Sequence, residues 1–174
     1  MHNRPDQRLP APPAIAQKGL PAIVAGSCHR GIDLPYRDLD HRAACRHAAG
    51  NLIALGHRRL AFVTLQAPPA GDIASELGFQ EAIAATREEV TSSVAKHDGT
   101  PAHLFLTLRR LMAGRDRPTG LVVTQAYHAL TVISGLARLG LRVPQDVSVI
   151  SRDDDPFFAF LQPEPCRYAA DPKD

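Results

Sequence analysis

Three consecutive carboxylates, Asp153, Asp154 and Asp155, stand between Ser151-Arg152 and Pro156. Side by side they repel one another. Such a run is tolerated in water, at a helix N-terminus, or opposite a polar ligand or cation. Two readings stand. Asp153 accepts hydrogen bonds from the hydroxyl groups of a small ligand, or the run is a solvated turn that caps a helix over 156–161. A magnesium site would need further carboxylates that the other strand ends do not supply. No CxxC and no Cys/His cluster with ligand spacing occurs, so neither a metal nor a cofactor is expected.

A second polar segment is Thr124-Gln125-Ala126-Tyr127-His128. Gln125 offers a donor and an acceptor, suited to hydroxyls or amides, and Tyr127 or His128 offers a stacking face. An ordinary strand-to-helix turn explains the segment equally well. Catalysis finds no support. No GxSxG elbow is present, and Cys28-His29 is only a pair of neighbours in sequence. His57-Arg58-Arg59 either touches phosphate or complements a helix C-terminus. Arg109-Arg110 reads as a solvated helix face. The expectation is a protein that is not an enzyme.

Those residues need elements to position them. Short apolar runs at 22–26, 60–65, 121–124 and 147–150, with a weaker one at 91–96, read as strands. Between them lie stretches of helical period. Asp40 caps a helix whose face is Ala44, Ala48, Leu52 and Leu55, ended by Gly56. Asp72 caps one carrying Ile73, Leu77, Phe79 and Ile83. Thr100-Pro101 opens one with the stripe Leu104, Phe105, Leu108, Leu111 and Met112. A fourth carries Ala129, Leu130, Ile133, Leu136 and Ala137, ended by Gly140. The alternation predicts an α/β protein: a parallel sheet with helices on both faces. Such sheets bind ligands outside the carboxyl ends of their strands, where Asp153 and Gln125 fall.

Composition agrees. Of 174 residues, 44% are hydrophobic and 22% charged, which excludes collagen-like and wholly disordered chains. No apolar run is long enough to span a membrane or to serve as a signal peptide, and three scattered cysteines fit a reducing cytoplasm. A net charge of +2 offers little attraction for nucleic acid. Five prolines, Pro5, Pro10, Pro12, Pro13 and Pro21, fall in the first 21 residues, and 1–20 reads as a proline-rich, disordered leader.

Three segments together resemble one family. Leu52-Ile53-Ala54-Leu55-Gly56-His57-Arg58-Arg59-Leu60-Ala61-Phe62, Leu77-Gly78-Phe79-Gln80-Glu81-Ala82-Ile83 and Gly140-Leu141-Arg142-Val143-Pro144-Gln145-Asp146-Val147-Ser148-Val149-Ile150 are similar, in order and spacing, to motifs of the lac repressor (LacI/GalR) family. The resemblance implies the Rossmann-like second lobe of a type I periplasmic-binding-protein-like fold. It also implies a sugar-like or nucleobase-like effector, dimers, and operator DNA reached through a helix-turn-helix that this sequence lacks. On that alignment 21–39 is a remnant of the first lobe with its crossover, 40–163 the second lobe, and 164–174 a crossover tail. Asp153 matches the family aspartate that binds sugar hydroxyls. Gln125 stands for its asparagine, with Ala126 where an aspartate follows. Ser75 stands for its effector-binding arginine. The expected ligand set is Asp153, Gln125, Ser75 and Tyr127. Two alternatives remain: a fragment that associates with a full-length regulator, and a receiver-like or enzymatic domain. The second is disfavoured by Gly26-Ser27 at the first strand end and by lysines only at 18, 96 and 173.

Overall fold

A computed structural model describes residues 14–15, 18–19 and 21–169. The leader expected over 1–20 lies almost wholly outside them. The chain divides into two compact units, one up to Leu39 and one from Asp40. In the first, β1 (Val24–Ala25) and β2 (Tyr36–Arg37) form a short parallel pair. The strand expected over 22–26 is thus only two residues long, and Gly26 ends it with φ of 116°.

The second unit runs α1 (His41–Ala54), β3 (Arg59–Leu65), α2 (Ala70–Ala85), β4 (Thr91–His97), α3 (Pro101–Leu111), β5 (Gly120–Val123), α4 (Ala126–Arg138), β6 (Ser148–Ser151), a 3-10 turn (Pro156–Phe160) and β7 (Cys166–Arg167). All five strands are parallel, in the order β4-β3-β5-β6-β7. Successive side chains of β3 point to opposite faces. Leu60 and Phe62 enter a core with Cys45 and Leu52 of α1 and Phe79 of α2. Ala61 and Val63 enter the other with Leu104 and Leu108 of α3 and Val132 and Leu136 of α4. A sheet buried on both faces needs apolar residues at every position, which is why these strands read as unbroken runs.

Helix boundaries follow local chemistry. The Asp40 carboxylate accepts from Ala43 N–H at 2.9 Å, and the Thr100 hydroxyl accepts from His103 N–H at 3.2 Å ahead of Pro101. Two predicted faces are corrected. On α1 the buried stripe is Cys45, Ala48, Ala49, Leu52 and Ile53, while Leu55, at the C-cap, is 76% exposed. On α2 the N-cap is Pro69, and Ile73 and Leu77 are half-exposed. Its buried face is Gly71, Asp72, Ser75, Gly78, Phe79 and Ala82. Small residues face inward there because α1 and α2 approach closely: a Cβ on Gly78 would lie 2.0 Å from the Arg42 carbonyl oxygen. The glycine of the Gly78-Phe79 segment is therefore a packing requirement.

Candidate functional site

The sheet order brings the carboxyl ends of β3, β5 and β6 side by side, with Val123 of β5 opposite Ser151 of β6. The next residues on those two strands are Thr124-Gln125 and Arg152-Asp153. α2 follows β3 and brings its first turn to the same edge.

A buried network ties these pieces together. The Arg152 guanidinium sits at its centre with 7% of its side chain exposed. Its Nη1 donates to Asp72 Oδ1 at 2.6 Å and to Ser75 Oγ at 3.0 Å. Its Nε and Nη2 donate to the two Asp153 oxygens at 2.9 and 3.1 Å, a two-bond fork. Asp72, 1% exposed, also accepts from the Thr64 and Thr124 hydroxyls at 3.3 and 3.0 Å. Burial disfavours the charge on Arg152, but Asp153 and Asp72 outweigh it, and the guanidinium pKa is raised. Beside this network burial pushes the Cys45 thiol up to about 11, so it packs as a neutral group.

The three adjacent carboxylates avoid mutual repulsion by taking separate partners. Asp153 takes Arg152, Asp154 takes Arg167 at 2.6 Å, and Asp155 caps the 3-10 turn by accepting from Phe157 N–H at 3.1 Å. The element after them is that short turn in place of the helix expected over 156–161. Asp155 thus caps a shorter element than expected, and Asp153 keeps 35% of its side chain open to solvent.

The other expected residues fall as follows. Gln125 is the N-cap position of α4, half-buried, with no capping hydrogen bond from its side chain. Tyr127 is 55% exposed on the first turn of α4. Ser75 has no exposed surface; its Oγ donates to the Gly71 carbonyl at 2.8 Å and accepts from Arg152. It lies beneath the rim and supports Arg152. His128 does not offer a stacking face: it is 2% exposed and packs edge-on against His97, with ring centroids 4.3 Å apart.

That histidine pair is a second buried polar feature of the edge. His97, at the end of β4, accepts from Gly99 N–H through Nδ1, while its Nε2 and both ring nitrogens of His128 lack hydrogen-bond partners in the protein. Burial, with His128 alongside, pushes His97 down to about 4. Burial lowers His128 as well, although the nearby Gly99 backbone partly favours its charge without a bond of ordinary geometry. Both rings are therefore neutral at pH 7.

Sequence reasoning missed Asp72 as a member of the site, having placed it as a helix cap, and missed Arg152, Thr64, Thr124 and His97. A charged residue directly after a buried strand was the available signal for Arg152. The basic cluster serves the structure: Arg58 Nη1 donates to the Ile53 carbonyl at the end of α1 at 3.0 Å, and His57 meets Thr119 and Ser148. Burial lowers the His57 pKa.

Residues 49–174 match the periplasmic binding protein-like domain family. The chain is 29% identical over 156 residues to the HTH-type transcriptional regulator MalR of Streptomyces coelicolor, covering 86% of this chain and 44% of that regulator. It therefore spans less than half the length of that relative. Among solved structures it resembles a LacI-family regulatory protein from Chloroflexus aggregans, with a TM-score of 0.79 at 22% identity over 89% of this chain and 56% of the other. It also resembles a LacI-family regulator from Enterococcus faecium with bound ribose, with a TM-score of 0.74 at 20% identity over 88% and 57%. The chain belongs to the periplasmic binding protein-like domain family, and it is similar in sequence to an HTH-type transcriptional regulator and in fold to LacI-family regulators.

Proposed function

We propose that the chain is a sensing lobe of a cytoplasmic transcriptional regulator, which recognises a small polar molecule by hydrogen bonds and does not transform it. The lobe comprises the described residues from 40 to 169, with β7 (Cys166–Arg167) part of its sheet in place of the crossover tail expected from 164, and 21–39 is read as first-lobe chain with its crossover. The observation that carries this reading is Asp153, a half-open carboxylate held by Arg152 at the carboxyl edge of a parallel sheet. Gln125 and Tyr127, one strand away, supply a donor-acceptor pair and a ring face. Ser75 contributes from below, through Arg152. Ligand occupancy would shift the balance between conformations, and operator contact would pass through a helix-turn-helix. No helix among the described residues is long and apolar enough to cross a membrane. Isothermal titration of the full chain against D-ribose and a panel of neutral sugars and nucleobases tests the reading. Heat of binding that Asp153→Ala abolishes is expected. No heat from any of them, with circular dichroism showing a folded protein, would remove it.

A second reading has its own observation. Leu106 and Leu130 are exposed beside Phe105 in a groove of about 740 Å³ between α3 and α4. Apolar surface of this kind fits association with another regulator subunit. A strictly monomeric sedimentation profile, alone and mixed with a full-length relative, would count against it.

A further inference from the structure

We propose that β4, an open edge of the sheet, pairs antiparallel with β4 of a second copy of this chain, joining the two sheets across a two-fold axis at Val94. The inference does not rest on the sensing reading. It uses neither the carboxyl edge of β5 and β6 nor the groove between α3 and α4.

An edge strand leaves the N–H and C=O of every second residue unpaired. The hydrogen bonds to β3 fix which residues these are. Thr91 N–H donates to the Arg58 carbonyl at 2.9 Å, and the His97 carbonyl accepts from Gln66 N–H at 2.8 Å. Thr91, Ser93, Ala95 and His97 therefore turn their backbone groups toward β3, while Ser92, Val94 and Lys96 turn theirs outward. Among the described residues no strand lies beyond β4. Ser92 and Lys96 are exposed and Val94 is half-buried.

Sheet edges are ordinarily blunted by proline, a bulge, charge or shortness. At the other edge β7 is two residues long. β4 runs for seven residues in unbroken register with β3, without proline and with one lysine and no carboxylate. Its outward residues are evenly spaced, so the edge is its own complement. With Val94 opposite Val94, Ser92 meets Lys96 and Lys96 meets Ser92, which gives about six backbone hydrogen bonds. No like charges stand opposite each other. The same register sets Glu89 against Gly99 and Asp98 against Val90. An unrelated strand would have to supply this match, whereas a second copy supplies it by symmetry. The contact is about 23 Å long. That is small beside a standard interface, so the dimer is weak, with a Kd on the order of 0.1 mM.

Sedimentation velocity and NMR-detected amide exchange of the full chain, from about 10 µM to 1 mM, test the pairing. A monomer–dimer equilibrium is expected. Exchange at the Ser92, Val94 and Lys96 amides slows as concentration rises, while Ser93 and Ala95, already bonded to β3, do not change. Ser92→Lys, at an exposed position, sets a lysine opposite Lys96 in both cross-strand pairs and weakens the dimer about tenfold. Adding Lys96→Glu makes both pairs opposite in charge and restores it. A monomer throughout the range overturns the proposal. So does a dimer indifferent to Ser92→Lys, which would place the contact elsewhere, as in the groove between α3 and α4. Protection of the three outward amides that does not depend on concentration overturns it too, because a segment of the same chain would then cover the edge.

Discussion

Acid should unfold this lobe through its histidines before it reaches its carboxylates. In the folded chain His97 titrates at about 4, against 6.5 when free. The folded pKa is the lower one. Above pH 6.5 both states hold the ring neutral and His97 adds nothing to the pH dependence. As pH falls below 6.5 the unfolded chain gains a proton that the folded chain refuses, so stability is lost until about pH 4. A gap of that size corresponds to about 3 kcal/mol, at 1.36 kcal/mol per unit. Asp98 and Asp72 favour the charged ring, His128 and His103 oppose it, and desolvation outweighs them all. His128 and His57 shift in the same direction, so a variant is needed to isolate His97. The assay is urea unfolding of the wild type and His97→Leu at half-unit steps from pH 7 to 4. The variant loses the bond from Gly99 N–H and about 1 kcal/mol at every pH. Its stability should then fall by about 3 kcal/mol less than the wild type between pH 6.5 and 4. Parallel curves for the two proteins, or a His97 ring that titrates near 6.5 by NMR, would refute the reasoning.

Other substitutions follow from named contacts. Arg152→Met strands the 1% exposed Asp72 carboxylate without its cation and should cost about 3–5 kcal/mol in chemical unfolding; adding Asp72→Asn should recover most of that loss. Gly78→Ala forces a Cβ against the Arg42 carbonyl, so α1 and α2 must separate, at a cost of about 3 kcal/mol read from the urea midpoint. Thr100→Ala removes the cap of α3 and should lower stability by about 1 kcal/mol, whereas Thr100→Ser should not.

Most of the architecture was legible because a sheet covered on both faces leaves unbroken apolar strands. Runs such as Leu60–Leu65 and Leu121–Thr124 admit few other readings, and Asp40 and Thr100-Pro101 mark their helices by local chemistry alone. The face of α2 was not legible. Periodicity weighs large apolar side chains, and this helix buries Gly71, Asp72, Ser75 and Gly78 while leaving Ile73 and Leu77 half-exposed. β7 was also hidden, since two residues, Cys166–Arg167, carry no pattern. At the candidate site, Asp153 and Gln125 could be placed at strand ends from sequence. The partnership of Arg152 with Asp72 and Ser75 could not, because the residues lie 80 and 77 positions apart and meet only once β3 and β6 share a sheet. The same holds for His97 and His128, which belong to β4 and α4.

The central claim is that the carboxyl edge of β5 and β6 receives a small hydroxyl-rich molecule. Its most direct test is amide-resolved NMR of the full chain during titration with D-ribose and the neutral sugar panel. Saturable shifts centred on Gln125, Tyr127 and Asp153, lost in Asp153→Ala while the rest of the spectrum is preserved, are the predicted result. A folded spectrum that no sugar perturbs, or shifts confined to the α3–α4 groove, would contradict it.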